Sequence, residues 1–466
     1  MQRDPLAAQS FAVQYREACR HTDQLFDRIH PEFLASRPVA ERHRLLFYIG
    51  HLEAFDWNLL SGRLFDEPAF NPAFDRLFAF GIDPVGGGLP TDQPEDWPSL
   101  QAVRGYRDEV RQRIAAHIAD TDFSCTASAR ANAGADPATL IQVVIEHRQM
   151  HAETLAYLIH QMPLAQKRIP EDGSLSTGAP VPPRSEAGMC RIPAGVAVLG
   201  IERGDPPGSR LESPRATLAE GPDAGPDAEA AGAGRFGWDN EFGACAVTVP
   251  AFLIDRHMVT NGEYLAFVDA GGYQRQAFWS DADWAWLAQS GTTHPAFWRP
   301  DAAGWRQRTM FEDLPLPLDW PVYVSHAEAQ AYARFVGKRL PTEAQWLRAA
   351  EGAAGHDAPP EDGNFDFRAW DPSPVHAHPR NRSRHGVEGQ FGNGWEWTSD
   401  AFAPLPGFAA FAFYPGYSAD FFDGRHFVMK GGSPRTAARM LRPSFRNWFQ
   451  PHYPYAYVGL RCVQDV

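Results

Sequence analysis

Apolar residues recur at three- and four-residue steps over long stretches only in roughly the first third of this 466-residue sequence. This periodicity predicts α-helices, because it places the apolar side chains along one face of a helix. The predicted helices are Ala12 to Ile29, Ala40 to Leu60, Ser99 to Ile118 and Pro137 to Met162. Four such helices within residues 1–165 predict an all-α four-helix bundle, in which side chains from facing helices can meet in the core.

The sequence changes character after the fourth predicted helix. Residues 166–187 are rich in Pro, Gly and Ser and predict an interdomain linker. Residues 188–466 contain short apolar stretches and many Gly, Pro and Trp, which predict a second domain with few long helices. Two short helices are expected there, Ser325 to Val336 and Thr342 to Ala350, each with a hydroxyl residue as N-cap. Residues 205–235 hold almost no large apolar residue, so they predict a flexible surface insertion without a catalytic role.

The fourth predicted helix carries two histidines, His147 and His151, four residues apart. On an α-helix this spacing places both imidazoles on one face, one turn apart, where they can bind one metal ion. His51, on the second predicted helix, is the candidate for a third ligand. Glu153 lies about 200° around the helix from His151, so we expect it to support the site from outside or to pack the helix. The spacing alone equally fits two histidines on a polar helix face.

The composition restricts the possible partners and location. A net charge of −14 at pH 7 argues against a nucleic-acid or anionic-membrane partner, which would require a basic surface. No apolar run reaches eighteen residues and the first residues lack the apolar core of a signal peptide, so neither a transmembrane helix nor secretion is expected. The five cysteines are scattered without a CxxC pair, which is typical of free thiols. The expected location is therefore the cytoplasm.

Several short motifs of the second half occur in an order typical of one known fold. They are Ser325–Ala329, Gly337–Trp346, Gly392–Ser399, Lys430–Ser433, Phe445–Trp448 and Gly459–Cys462. Together they resemble the formylglycine-generating-enzyme fold, an irregular α+β domain related to C-type lectins, over roughly residues 188–466. A formylglycine-generating enzyme proper needs a reactive cysteine pair in its C-terminal region. Residues 431–446 contain no Cys here, so its copper-thiolate chemistry is not expected.

The first half resembles a DinB-like four-helix bundle, through the HxxxHxE pattern of His147, His151 and Glu153. The two domains in this order resemble the EgtB-like sulfoxide synthases of ergothioneine biosynthesis, a resemblance that covers nearly the whole chain. It implies a mononuclear non-haem Fe(II) held by His51, His147 and His151. It also implies an O2-dependent reaction that joins a thiol sulfur to the imidazole C2 of hercynine, the trimethylated betaine of histidine. Three neutral imidazoles would leave open positions on iron for O2 and the substrates.

The resemblance also assigns residues to the substrate pocket. Asn447 and Trp448 match the Asn-Trp pair that lines the hercynine pocket in these synthases. An Asn amide can hydrogen-bond a carboxylate or an imidazole, and an indole face can bind a trimethylammonium group with a cation–π energy of about 0.5–2 kcal/mol. The catalytic proton or electron donor of the family is a tyrosine near iron, for which Tyr414 and Tyr417 are the candidates.

Three positions depart from the branch of the family that uses γ-glutamylcysteine. Phe449 and Tyr453 replace an acidic residue and an Arg that bind the donor in that branch, and Met150 replaces a Gln that contacts hercynine. These differences favour a smaller thiol donor such as cysteine, or the selenosugar donor of the related selenoneine synthases, since sulfur and selenium are both soft ligands of iron. A non-catalytic metal- or ligand-binding module and a DinB-type thiol transferase are the remaining alternatives.

Overall fold

The fold is given by a computed structural model, which describes residues 5–79, 89–123, 135–170, 188–202, 236–354 and 359–466. The predicted insertion 205–235 and residues 171–187 of the predicted linker lie outside these ranges. Within them, no helix has both the length and the apolar character needed to cross a membrane. The cysteines in the described ranges, Cys19, Cys190, Cys245 and Cys462, are free thiols.

The first domain is the predicted helical bundle. Its helices are α1 (Pro5–Phe26), α2 (Leu45–Leu60), α3 (Pro72–Leu77), α4 (Leu100–Asp120) and α5 (Pro137–His160). The long helices α1, α2, α4 and α5 correspond to the four predicted ones, and the short α3 is an addition. Asp136 caps α5 as its position before a proline suggests, because its carboxylate accepts a hydrogen bond from the backbone N–H of Thr139 at 2.9 Å.

The predicted start of the second helix is wrong. Arg44 has extended backbone, and α2 begins only at Leu45 rather than at Ala40. The Arg44 side chain donates hydrogen bonds to the carbonyl of Ala35 at 2.8 Å and to the carboxylate of Asp92 at 2.9 Å. These contacts hold the chain before α2 in a non-helical turn, so residues 40–44 lie outside the helix.

The second domain is an α+β domain with short strands and helices, as the resemblance implies. Its elements are β1 (Met189–Ile192), β2 (Gly195–Leu199), β3 (Cys245–Val249), β4 (Phe252–Asp255), α6 (Asn261–Asp269), α7 (Asp281–Ser290), β5 (Trp298–Asp301), β6 (Gly304–Arg308), β7 (Asp313–Pro315), α8 (His326–Phe335), α9 (Glu343–Ala349), β8 (Gly394–Ala401), β9 (Phe427–Gly432), β10 (Asn447–Phe449), β11 (Val458–Gly459) and β12 (Val463–Asp465). Helices α8 and α9 are the two predicted there, capped by Ser325 and Thr342.

The strands of the second domain form four small sheets. Their orders are β1-β4-β12, β10-β9-β8-β11, β2-β3 and β5-β6-β7. In the four-stranded sheet, β8 pairs antiparallel with β9 from Gly394 opposite Gly432, and β11 runs parallel to β8. This sheet faces the bundle, since Trp395 of β8 donates a hydrogen bond to the α5 residue Glu153 at 2.7 Å.

Helix α5 lies between the two domains and is buried over most of its length. The residues that contact the second domain recur at steps of three and four: Glu146, Met150, Glu153, Tyr157 and His160. Such steps place them on one face of the helix. A helix that is buried on every side carries apolar residues all round, which explains why the sequence of α5 shows no single narrow apolar face.

The interface continues past the end of α5 into the first residues of the predicted linker. Lys167 is buried, and its ammonium donates hydrogen bonds to the carbonyl of His160 at 2.9 Å and to that of Met310 at 2.8 Å. Burial lowers the pKa of this ammonium to about 7. Residue 167 thus joins the bundle to the second domain.

Candidate metal centre

Three histidines from two helices meet inside the bundle. His51 of α2, and His147 and His151 of α5, each offer a ring nitrogen, and these nitrogens lie within 4.8 Å of one another. The Nε2 atoms of His147 and His151 are 3.2 Å apart. The three residues are only 4–6% exposed. Among the residues that the structure describes, no other group of three His, Cys, Asp or Glu side chains has this geometry.

Burial keeps these imidazoles neutral. Desolvation lowers the pKa of His51 to about 4, although the hydrogen bond from its Nδ1 to the Phe78 carbonyl opposes the shift. Desolvation and the neighbouring imidazoles hold the pKa of His147 well below its usual range, and the same two causes act on His151. Neutral imidazole is the form that ligates metals, so the cluster can bind a metal ion at neutral pH.

The donor set fits a divalent transition metal. The Nδ1–H of His51 donates to the Phe78 carbonyl at 2.8 Å, which fixes the tautomer and leaves Nε2 as the ligating atom. The Nδ1 atoms of His147 and His151 are buried without a hydrogen-bond partner, and their Nε2 atoms face each other. Three imidazoles suit iron, zinc, copper or nickel. With three protein ligands, such a site retains open positions, as catalytic sites do and closed structural sites do not.

A buried ionic cluster that the sequence did not predict links the two helices that carry the histidines to the rest of the bundle. Arg148 donates hydrogen bonds to the carboxylates of Glu53 and Asp56, and Tyr15 donates to Asp56 at 3.2 Å. Arg111 of α4 donates to Glu53 at 2.9 Å. The cluster therefore connects α1, α2, α4 and α5 and holds the helices that carry the histidines. The sequence feature that could have indicated this cluster is the presence of charged residues inside otherwise apolar helical segments.

Both candidate tyrosines belong to the second domain and contact bundle residues that neighbour the histidines. The hydroxyl of Tyr417 donates a hydrogen bond to the Met150 sulfur at 3.3 Å. The ring of Tyr414 lies edge-on to Phe55 at 5.3 Å, and Phe55 stacks on His147 at 3.5 Å between centroids. Burial raises the pKa of Tyr414 to about 12, and it raises the pKa of Tyr417 well above 10. Both phenols are therefore protonated at neutral pH.

Asn447 and Trp448, which the resemblance assigns to the hercynine pocket, lie on the edge strand β10. Trp448 is half-buried, stacks on Phe402 at 4.1 Å and lies edge-on to Tyr417 at 5.5 Å. The side-chain oxygen of Asn447 accepts a hydrogen bond from the backbone N–H of Trp448 at 2.9 Å, which orients its amide. Tyr417 thus lies between Trp448 and Met150, the residue that precedes His151.

Phe449 and Tyr453, in the second domain, form an aromatic wall that packs against Tyr157 of α5. Their rings stack at 4.8 Å, and both lie edge-on to Tyr157, at 6.2 and 5.9 Å. The guanidinium of Arg42 lies over the Tyr453 ring at 5.1 Å from its centroid, and Arg42 Nε donates to the phenol oxygen at 3.4 Å. The wall therefore combines aromatic faces with one buried positive charge.

Glu153 faces the second domain. Its carboxylate accepts hydrogen bonds from Trp395 Nε1 at 2.7 Å, from the Ser433 hydroxyl at 2.5 Å and from the Thr436 hydroxyl at 2.7 Å. Burial raises the pKa of this carboxyl group, against the lowering effect of the three donors. Trp395, in the Gly392–Ser399 motif, thereby joins the two domains, a role that its sequence motif did not indicate.

Comparisons with known proteins agree with this architecture. Residues 180–466 match the Sulfatase-modifying factor enzyme 1-like domain, and residues 14–155 match the DinB superfamily. The hercynine oxygenase of Mycolicibacterium thermoresistibile is 43% identical over 245 residues, 49% of this chain and 54% of that protein. The hercynine oxygenase of Mycolicibacterium smegmatis is 34% identical over 354 residues, 71% of this chain and 73% of that protein. Ergothioneine biosynthesis protein 1 of Neurospora crassa is 27% identical over 520 residues, 93% of this chain and 55% of that protein.

The class of protein is thus a DinB-type bundle joined to a sulfatase-modifying-factor-type domain, and the predicted fold class is confirmed. Within this class, the chain belongs to the hercynine oxygenase family, the EgtB-like sulfoxide synthases, as its motifs predicted. The chain spans about half the length of two of these three curated relatives, 54% and 55%.

Proposed function

We propose that this protein is a non-haem Fe(II) enzyme of ergothioneine-type biosynthesis that uses O2 to join a thiol sulfur to C2 of hercynine. The supporting observation is that Tyr417 of the second domain contacts both Trp448 and Met150, the residue that precedes His151 of the histidine cluster. The names of the relatives, hercynine oxygenase and ergothioneine biosynthesis protein 1, favour hercynine as the acceptor.

The proposed reaction balances with O2 as the oxidant. The thiol S–H and the imidazole C2–H are lost, and a C–S bond forms between the two substrates. One oxygen atom becomes the sulfoxide oxygen, and the other leaves as water with the two hydrogens. Fe(II) held by His51, His147 and His151 would supply the O2-activating centre, and its open positions suit this role.

The protein's own residues supply binding and protons. Trp448 would bind the trimethylammonium group of hercynine through its indole face, and Asn447 would hydrogen-bond the imidazole or the carboxylate. Tyr417, whose hydroxyl contacts Met150, and Tyr414, packed against Phe55, would be the candidate proton or electron donors. Tyr417 is buried and Tyr414 is half-buried, which limits the access of water to both phenols.

The pocket assignment predicts that Trp448→Ala weakens hercynine binding by about two- to thirtyfold, the equivalent of about 0.5–2 kcal/mol. The reason is that alanine removes the indole face that attracts the trimethylammonium group. Calorimetric titration of hercynine into metal-loaded protein without O2 measures the change. Trp448→Phe, which keeps an aromatic face, serves as the matched variant and should lose less affinity. Unchanged hercynine affinity in Trp448→Ala would contradict the assignment.

Cysteine is the thiol donor that we propose. The guanidinium of Arg42, which lies over Tyr453 of the aromatic wall, can bind the carboxylate of cysteine. Phe449 and Tyr453 offer no charged partner for the longer chain of γ-glutamylcysteine. A selenosugar is the second candidate, because the faces of Phe449, Tyr453 and Tyr157 form a stacking surface that suits a sugar ring.

The donor is tested by incubating Fe(II)-loaded protein with hercynine and O2, and with cysteine, γ-glutamylcysteine or a selenosugar in parallel. We expect mass spectrometry to detect a sulfoxide adduct of hercynine with cysteine as the main product. The matched control is the same mixture without O2, which should give no adduct. If only the selenosugar gave an adduct, the donor would be the selenosugar and not cysteine. No adduct with any donor would contradict the proposed function.

A further inference from the structure

The carboxylate immediately before His147 is bound by the second domain. Arg442 donates to both oxygens of Glu146, at 2.7 and 3.0 Å, and Trp238 Nε1 donates to one of them at 2.8 Å. Glu241 binds the opposite side of the Arg442 guanidinium, at 2.8 and 2.5 Å. Glu146, Arg442, Trp238 and Glu241 are at most 4% exposed. Bidentate, charge-assisted hydrogen bonds of this kind fix the geometry of both partners.

A second buried carboxylate of α5 is bound shortly after His151. Glu153 accepts its three hydrogen bonds from Trp395, Ser433 and Thr436. All three donors belong to the second domain, where Trp395 lies on β8 and Ser433 directly follows β9. Because every donor is neutral and buried, this contact depends on hydrogen-bond geometry and not on an ion pair.

The two carboxylates bracket the metal-binding turn of α5. Glu146 precedes His147 by one residue, and Glu153 follows His151 by two. Their seven-residue separation is about two helical turns, so both point to the same face of α5. A rotation or a slide of the helix would break both sets of contacts. It would also move the imidazoles of α5 relative to His51, whose ring is held separately by the carbonyl of Phe78 at 2.8 Å.

We propose that Glu146 and Glu153 are positioning residues of the metal centre, through which the second domain sets the metal affinity of ligands that all belong to the first domain. Neither carboxylate binds the metal; each holds one end of the turn that carries His147 and His151. The inference rests on the three-histidine metal site of the proposed function. It extends that function by making tight metal binding dependent on the docking of the two domains at these two points.

The inference predicts that Glu146→Gln and Glu153→Gln each lower Fe(II) affinity by about tenfold or more, the usual effect of losing a group that orients metal ligands. Fe(II) affinity is measured by anaerobic competition against a chelator, and the melting temperature of each metal-free protein is recorded beside it. A milder pair, Ser433→Ala with Thr436→Val, removes two donors to Glu153 without changing α5. This pair keeps the test available should either glutamine variant fold poorly.

The matched control is His160→Phe. His160 is equally buried on the same face of α5, accepts from the Tyr457 hydroxyl at 3.0 Å and donates to the Arg308 carbonyl at 3.0 Å. It lies more than two helical turns beyond His151. We expect its loss to lower the melting temperature while leaving Fe(II) affinity unchanged.

The possible outcomes are distinct. Lower melting temperatures with unchanged Fe(II) affinity in the glutamate variants would overturn the positioning role, and so would an equal loss of affinity in His160→Phe. Failure of the unmodified protein to bind Fe(II) would instead contradict the proposed function itself. Weakened binding in the glutamate variants alone supports the inference.

Discussion

His147→Ala is expected to lose stoichiometric iron binding, with an affinity for Fe(II) reduced by more than about a hundredfold. Loss of a direct ligand should exceed the 10–100-fold effect of losing a group that merely orients one. The variant keeps His51 and His151, and two imidazoles hold a metal ion far less tightly than three. Metal analysis of anaerobically loaded protein measures the loss, and the sulfoxide-forming activity should disappear with it.

Thermal unfolding gives a second measurement of the same loss. Free Fe(II) at about a hundred times its dissociation constant should stabilise the unmodified protein by about 2.7 kcal/mol and raise its melting temperature. The His147→Ala protein should show no such shift. His160→Phe, a buried histidine variant on the same helix outside the cluster, should retain both the metal and the shift. Full iron occupancy in His147→Ala would contradict the three-histidine site.

Helical spacing singled out His147 and His151 of the candidate metal centre, and the family resemblance added His51. The four-residue step between His147 and His151 places both on one face of α5, and the bundle brings His51 of α2 to within reach of them. The same helix geometry predicted that Glu153 points away from the pair. Its partners could not be predicted, because Trp395 and Ser433 lie more than two hundred residues later in the chain. Periodicity describes one helix and contains no information about such distant contacts.

The burial of charged residues is the feature that is hardest to predict from the sequence. Arg148, Glu53 and Glu146 occupy positions that a periodic pattern assigns to a polar, solvated face. In the structure each is buried and paired, within the bundle for Arg148 and Glu53 and across the domain interface for Glu146. A pattern of apolar and polar residues does not distinguish a solvated charge from one that a distant partner neutralises.

The second domain was recognised by its motifs and not by periodicity. Strands β10, β11 and β12 contain only two or three residues each, which is too short for an alternating pattern to be visible. The turn before β8 also depends on special backbone conformations, with Asn393 at φ 69° and Gly392 at φ 95°. Motifs preserve such positions as fixed residues in a fixed order, which is why they predict this fold where local patterns do not.

Arg148→Met is expected to lower the free energy of unfolding by about 3–5 kcal/mol, the typical result of removing one partner of a buried ion pair. Arg148 and both carboxylates that it binds, those of Glu53 and Asp56, have fully buried side chains. Methionine fills part of the volume but leaves the two acids without their shared cation. Burial already raises the pKa of Asp56 against the lowering effect of Arg148, and this shows how unfavourable an unpaired charge would be there.

Denaturant unfolding of the metal-free proteins separates this effect from metal binding. Arg113→Met provides the matched control, since Arg113 pairs with Glu67 and Glu109 at the partly exposed surface of the same bundle. Exposed pairs contribute about 0–1 kcal/mol, so the control should remain close to the unmodified protein. Because Arg111 still binds Glu53 at 2.9 Å, the acid most affected in Arg148→Met is Asp56. The double variant Arg148→Met with Asp56→Asn should therefore recover part of the lost stability. Two results together would contradict this role of the buried cluster: a loss below about 1 kcal/mol in Arg148→Met, and no recovery in the double variant. They would show that the cluster does not hold the helices that carry the histidines.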